Sequence, residues 1–228
     1  MKINTTQYCL LILTLLAISS WGFHAHKTIH SQAIFTLPIE MSPFFLDHAH
    51  DLKERAVTAD KRRYTDTTEA CKHYIDLDLY GIYPFENIPR KWFNAKELYT
   101  KDTLKSRGIL PWVINWEYKN LVWAMDSGSK EEVLKHAADI GHYISDANVP
   151  LHTTSNYNGQ HSNQKGIHAL WESRIPENYS ETYDYFVGKA QYIEDPLEFA
   201  WNTVLESNLL LNKTLEQEKI ATERTRKD

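Results

Sequence analysis

Apolar residues recur at helical spacing through most of the 228-residue chain, and the strict alternation of a half-buried strand is nowhere sustained. The pattern predicts a first helix over Lys27–Leu37, stopped by Pro38, and a second from about Pro43 to Val57 with Phe44, Phe45, Ala49 and Leu52 as its stripe. Glu69–Leu79 reads as a short helix or a turn-rich stretch. Leu110–Met125 is a strong helix: Pro111 is tolerated in a first turn, and Asp126-Ser127-Gly128 closes it. The clearest helix follows, because Ser129 and Glu132 form a capping box and the periodicity continues to Asn148, where Val149-Pro150 ends it. Thr153–Gly166, rich in Asn, Ser, Gly and Gln, is a loop. Helix resumes near His168, with further helices over Glu181–Tyr192 and Pro196–Gln217. The charged stretch Glu216–Asp228 is expected to be a solvated or frayed tail. No repeat or linker interrupts this pattern, so one all-α domain is expected.

The first twenty residues break it. Lys2, the apolar run Cys9–Ile18 and the small pair Ser19-Ser20 read as a secretory signal peptide, too short to span a bilayer. Residues 1–20 are therefore expected to be removed after Ser20, leaving a domain over 21–228 that begins at Trp21 and is exported as a secreted or periplasmic protein. Cys71 is then the single cysteine, so no internal disulfide is possible and the fold must rely on its core or on metal. Cys71 itself reads as a small buried residue. A net charge of −5 gives no general attraction to polyanions, so a binder of phosphate would need a local cationic feature.

Eleven histidines raise the question of metal. His142 and Asp146 stand four apart on the best helix, which puts them on one face; His152 follows just past Pro150; His168 and Glu172 form a second such pair. Asp60 and His73 lie upstream, and Trp21 and His26 at the start of the expected mature chain. Alone, each pair is an ordinary surface contact. Together, in a chain without disulfides, they are the imidazole and carboxylate donors that zinc takes when thiolates are absent.

At these residues the chain resembles the superfamily that joins zinc-dependent phospholipases C with zinc-dependent single-strand-specific nucleases. Trp21-Gly22 with His26 matches its opening, His142-Tyr-Ile-Ser-Asp146 with Pro150-Leu151-His152 its central pattern, and His168-Ala-Leu-Trp-Glu172 its closing pair. The resemblance implies an all-α domain around a trinuclear zinc cluster. One ion would be held by Asp60, His73, His142 and Asp146, and a second by His152, His168 and Glu172. The third would use the amine and carbonyl of Trp21 with His26, and Asp146 as a bridge. The final charged segment suggests a chain that lacks the closing helix of that family.

Such a cluster suits hydrolysis of a phosphodiester. Zinc lowers the pKa of bound water to roughly 7, and adjacent ions ~3.5–4 Å apart can clamp the attacking and leaving oxygens. Asp60 is expected to ligate zinc and to accept a hydrogen bond from the nucleophilic water. The substrate branch rests on other residues. Arg63 stands where the nucleases carry a phosphate-contacting arginine, and Tyr74 where they carry a base-stacking aromatic. Trp171 before Glu172 is also nuclease-like. His24, Lys61 and Ala70 occupy positions at which a choline site would need carboxylate or aromatic groups. Glu172 itself, in place of Asp, is the phospholipase variant. The expectation is an exported single-strand nuclease or nucleotidase; the alternatives are a phospholipase C and a non-catalytic zinc-binding protein. No stable protein partner is implied and a monomer is expected. The remaining histidines, His24, His30, His48, His50, His136 and His161, read as surface or core residues, and Trp112, Trp116 and Trp123 as core.

Overall fold

The computed structural model describes residues 22–225, among which there is no strand. The expected signal peptide (1–20), Trp21 and the last three residues lie outside the described residues. The chain forms one all-α domain. No helix among the described residues is long and apolar enough to cross a membrane.

The first helix, α1 (Phe23–Ala33), starts at Gly22, whose left-handed backbone (φ 71°) turns the chain into it, and runs on through a 3-10 turn to Thr36. The single helix expected over 43–57 is instead α2 (Ser42–Asp47) and α3 (Ala49–Arg55), which meet at His48. A short α4 (Thr58–Arg62) carries Asp60. Glu69–Leu79 forms two 3-10 turns, Ala70–Lys72 and Leu77–Leu79.

Two helices follow that the periodicity does not announce, α5 (Trp92–Tyr99) and α6 (Lys101–Ser106), joined at Thr100, whose Oγ1 accepts from the Thr103 N–H. Each contributes one fully buried side chain, Ala95 and Leu104, too few to make a visible stripe.

The central pair is α7 (Leu110–Ser127) and α8 (Lys130–Ala147), which pack along each other. Both termini are as expected: Pro111 lies in the first turn of α7, Gly128 closes it in the left-handed conformation, and Ser129 Oγ accepts from the Glu132 N–H. The main core lies on one side of this pair. Trp112 of α7 packs edge-on against Trp201 at 5.0 Å between ring centroids and against Trp92 at 5.3 Å. Tyr143, Ile75, Leu77 and Leu110 complete it. Trp116 packs against this core from a partly buried position, but Trp123 is 63% exposed, a correction to its assignment as core. By helical spacing Trp123 shares the face of Trp112 and Trp116, but it stands about three turns beyond Trp112 toward the C-terminal end of α7, outside the reach of this core cluster.

Past the 3-10 turn Pro150–Thr153 and the loop, α9 (Ile167–Ala169) passes through a π-helical turn, Leu170–Arg174, into α10 (Ile175–Tyr179). The helix expected over Glu181–Tyr192 does not form. After one 3-10 turn, Ser180–Thr182, the chain is irregular to Pro196, because its large side chains bury no common face and Phe186 and Tyr192 are almost wholly exposed. Gly188 takes φ 84° there, and the Ala190 N–H donates to the Thr36 carbonyl.

The expected final helix breaks at Leu210 into α11 (Pro196–Leu209) and α12 (Leu211–Thr225). The stretch read as a frayed tail is therefore helical as far as Thr225. It is largely solvated as expected, with only Glu218, Ile220 and Thr222 partly covered, and the Gln164 amide of the loop holds it by donating to Glu218 Oε2.

Candidate metal centre

Helix α8 supplies the middle of the site. His142 and Asp146 lie on its buried face, with His142 Nε2 3.3 Å from Asp146 Oδ2. The His142 Nδ1–H donates to the Ala56 carbonyl at 2.8 Å, where α3 ends, which turns Nε2 inward. His73 enters from the 3-10 turn, its Nδ1 2.9 Å from Asp146 Oδ2 and 3.1 Å from His142 Nε2. Asp60 of α4 closes this group, its Oδ1 3.8 Å from His142 Nε2 and 3.9 Å from His73 Nδ1. On the opposite side of Asp146, His26 of α1 stacks on His142 with ring centroids 4.0 Å apart and brings Nε2 to 3.4 Å from Asp146 Oδ1. Asp146 thus serves two groups, one oxygen toward each.

The third group adjoins these. His152 Nδ1 donates to the His73 carbonyl in a very short hydrogen bond, presenting Nε2 to Glu172 Oε1 at 2.5 Å. His168 Nε2 meets the other Glu172 oxygen at 3.0 Å. The π-helical turn sets Glu172 into this position; such turns recur where a helix must aim a functional side chain. Gly22 ties the third group to the others. A Cβ there would stand 3.4 Å from Glu172 Oε2 and 3.5 Å from the His26 ring, and its N–H donates to Ser173 Oγ.

Every expected ligand among the described residues therefore falls in one constellation, buried at its centre and half-buried at Asp60, His168 and Glu172: His26, His142 and Asp146; Asp60, His73 and His142; His152, His168 and Glu172. Trp21, expected to complete the first of these with its amine and carbonyl, lies outside the described residues. The donor set fits divalent metal. It is oxygen and imidazole nitrogen only, the imidazoles point inward, and Asp146 meets no lysine or arginine among the described ion pairs. In the metal-free chain, His142 and His152 hold the charge. Burial opposes protonation of His142, but Asp146 and Asp60 outweigh it and raise its pKa to about 9. Burial likewise opposes protonation of His152, which Glu172 and Asp146 raise to about 10. Asp146 and Glu172 stay well below the usual carboxylate range despite burial, held there by these histidines. His26 goes the other way, lowered to about 3 by burial and by His142. Burial raises Asp60.

One residue beyond the expected set supports the ligands. Glu69, fully buried, faces His73 Nε2 at 3.6 Å and accepts hydrogen bonds from Tyr143 Oη, Arg62 Nη2 and Lys72 Nζ. It stands four residues before His73, the same spacing that marks the other pairs.

Beside the third group opens a cavity of about 340 Å³. Arg63, Tyr74, Asp76 and Tyr157 line it together with His73, His152 and His168. Arg63 is exposed, its Nη1 3.7 Å from Asp60 Oδ1. The backbone fixes Tyr74: its carbonyl accepts from the Leu110 N–H, the Ile75 N–H donates to His152, and the Asp76 N–H to Arg107. Asp76 carries a carboxyl raised to about 7, by burial and then by Asp78. Asp76 sits within the stretch His73-Tyr-Ile-Asp76, so its place was accessible to sequence reasoning; Tyr157, in a polar loop, gives no signal. Among the remaining histidines, His30 and His136 are buried, His24 and His161 exposed.

No protein-family model matches the chain, and no curated protein or solved structure matches it either.

Proposed function

We propose that the chain is an exported, zinc-dependent phosphodiester hydrolase that acts on single-stranded nucleic acid. The observation that carries this reading is the run of three donor groups, the first two linked through Asp146 and His142 and the third joined to them by the His152–His73 hydrogen bond, opening onto a cavity that presents both a guanidinium and aromatic rings. His26, Asp60, His73, His142, Asp146, His152, His168 and Glu172 would hold the metal, with the Trp21 amine and carbonyl as the remaining donors if the mature chain begins there. Zinc held there would supply Lewis acidity at the phosphoryl oxygens and would lower the pKa of a water toward neutrality.

The chain's own groups do the rest. Arg63 binds the phosphate through its planar fork, close enough to Asp60 to place that phosphate beside the donor groups. Asp60, only partly screened from solvent, accepts a proton from the attacking water. Tyr74 and Tyr157 offer ring faces on which a base stacks irrespective of its identity. Asp76, at about 7, offers a hydrogen-bond donor or acceptor to the base edge at neutral pH. The geometry needs an unpaired base turned into the cavity, which favours single strands.

A paired assay tests this. Single-stranded DNA and phosphatidylcholine are offered to the processed protein, with and without chelator, in wild type and Arg63→Ala. Chelator-sensitive cutting of DNA alone, reduced about 10²-fold in Arg63→Ala, is expected for loss of one charged contact to the reacting group. Cleavage of the lipid alone would make this a phospholipase C, the reading that Glu172 favours. Bound zinc with neither substrate cut would leave a zinc-binding protein.

A further inference from the structure

Nearer its N-terminal end, α8 takes part in a second convergence of donors that shares no residue with the centre described above. His136 Nδ1 lies 2.6 Å from Glu117 Oε2 of α7, and its Nε2 lies 3.2 Å from Glu132 Oε2 of α8. Asp139 closes the set, so that one donor atom each of Glu117, His136 and Asp139 lies within 4.8 Å of the others. These side chains are largely buried, with 16%, 10% and 7% of their surface exposed respectively.

The charge around them is unbalanced. Arg62 Nη1 meets Asp139 Oδ1 at 2.9 Å, but the same guanidinium serves Glu69, and Lys135 reaches Glu132 from the solvent side. Among the described ion pairs Glu117 has His136 alone. Three carboxylates thus share one divided guanidinium and one exposed ammonium, and a buried anionic surplus is costly unless a cation joins it.

Two cations can do so, a proton on His136 or a metal ion. The convergence of three donors favours the metal, because a proton on the ring serves Glu117 and Glu132 but leaves Asp139 aside, whereas an ion between the donors meets all three. Such an ion would replace the proton that Nδ1 shares with Glu117 at 2.6 Å, while Glu132 holds Nε2, the carboxylate–imidazole arrangement that orients metal-bound histidine. Asp139 meets Arg62 through Oδ1 while one of its oxygens stands within reach of the other two donors. We infer that Glu117, His136 and Asp139 hold a divalent first-row metal ion that clamps α7 to α8, with Glu132 positioning the imidazole.

This inference stands apart from the hydrolase reading. The test is equilibrium dialysis of the full chain against zinc, counting bound ions in wild type, His136→Gln, Glu117→Gln and, as a control in the main centre, His152→Gln. The expected result is one ion fewer in both His136→Gln and Glu117→Gln with hydrolysis of the chosen substrate unchanged, while His152→Gln loses metal from the main centre and keeps the α7–α8 ion. Circular dichroism identifies a variant that fails to fold, and the other then decides. Equal ion counts in wild type and a folded His136→Gln or Glu117→Gln chain overturn the inference and leave these residues a hydrogen-bonded cluster without metal. A chain that binds one ion lost in His136→Gln, but none lost in His152→Gln, would uphold this site while removing the main centre.

Discussion

Glu69 faces His73 Nε2 from a position wholly shielded from water, and its own charge is met by Arg62, Lys72 and Tyr143. That arrangement turns His73 so that Nδ1 addresses Asp146 and Asp60. Replacing Glu69 by Gln keeps the shape but removes the anion behind the imidazole. Zinc affinity is expected to fall about 10- to 100-fold, as it does when such a supporting carboxylate is lost, and competition with a chromophoric chelator reads it. The residue also shows what spacing conveys. His142–Asp146 and His168–Glu172 were legible because regular helix puts positions four apart on one face. Glu69–His73 has the same spacing but lies across a 3-10 turn, where no helical periodicity draws attention to it. That Asp60, His26 and His152 approach these pairs is a tertiary fact, accessible in advance only through the resemblance.

Elements hold the site by a few close approaches. Gly108, left-handed at φ 85°, lets the start of α7 lie against the segment that carries His73, Tyr74 and Asp76; a Cβ there would stand 2.1 Å from the Tyr74 carbonyl oxygen. Gly108→Ala is expected to cost about 1–3 kcal/mol or more through overpacking and the unfavourable φ, and to displace Tyr74. Urea denaturation gives the stability, and loss of DNA affinity with zinc content retained gives the displacement. On the far side of α7, Trp201 joins α11 to Trp112, and Trp201→Ala is expected to cost about 3–5 kcal/mol in the same denaturation. The strongest helices, α7 and α8, were legible down to their caps because Pro111, Gly128 and Ser129 each act locally. The failures have one cause. Where few side chains of a segment are buried, as in α5 and α6, or where exposed aromatics mimic a stripe, as over Glu181–Tyr192, periodicity no longer reports packing.

At the scale of the molecule, the centre links stability to both protons and metal. In the chelated protein, His142 and His152 have pKa values raised from 6.5 to about 9 and about 10, so their contribution is complete below 6.5 and is lost as pH rises through those values. Asp146 and Glu172 are depressed, so their contribution holds above the usual carboxylate range and is lost on acidification. His26, lowered to about 3, takes up a proton more readily unfolded, so stability also falls as pH drops below 6.5. Thermal melts in chelator are therefore expected to give a maximum near 6.5, with stability falling below it and falling again as pH rises from there toward about 9. Zinc displaces these protons, so its affinity rises with pH up to that range and its addition raises the melting temperature. Calorimetry of zinc binding in buffers of different ionisation enthalpy measures the proton release.

The measurement that bears most directly on the whole is zinc add-back. The processed protein is stripped with chelator, zinc is returned in steps, and cleavage of a single-stranded DNA is followed alongside bound metal in wild type and Asp146→Asn. A metal centre built on Asp146 predicts no cleavage in the stripped protein, recovery as zinc is taken up, and neither full loading nor cleavage in the variant. Cleavage that persists in the stripped protein, or that Asp146→Asn leaves intact, would contradict it.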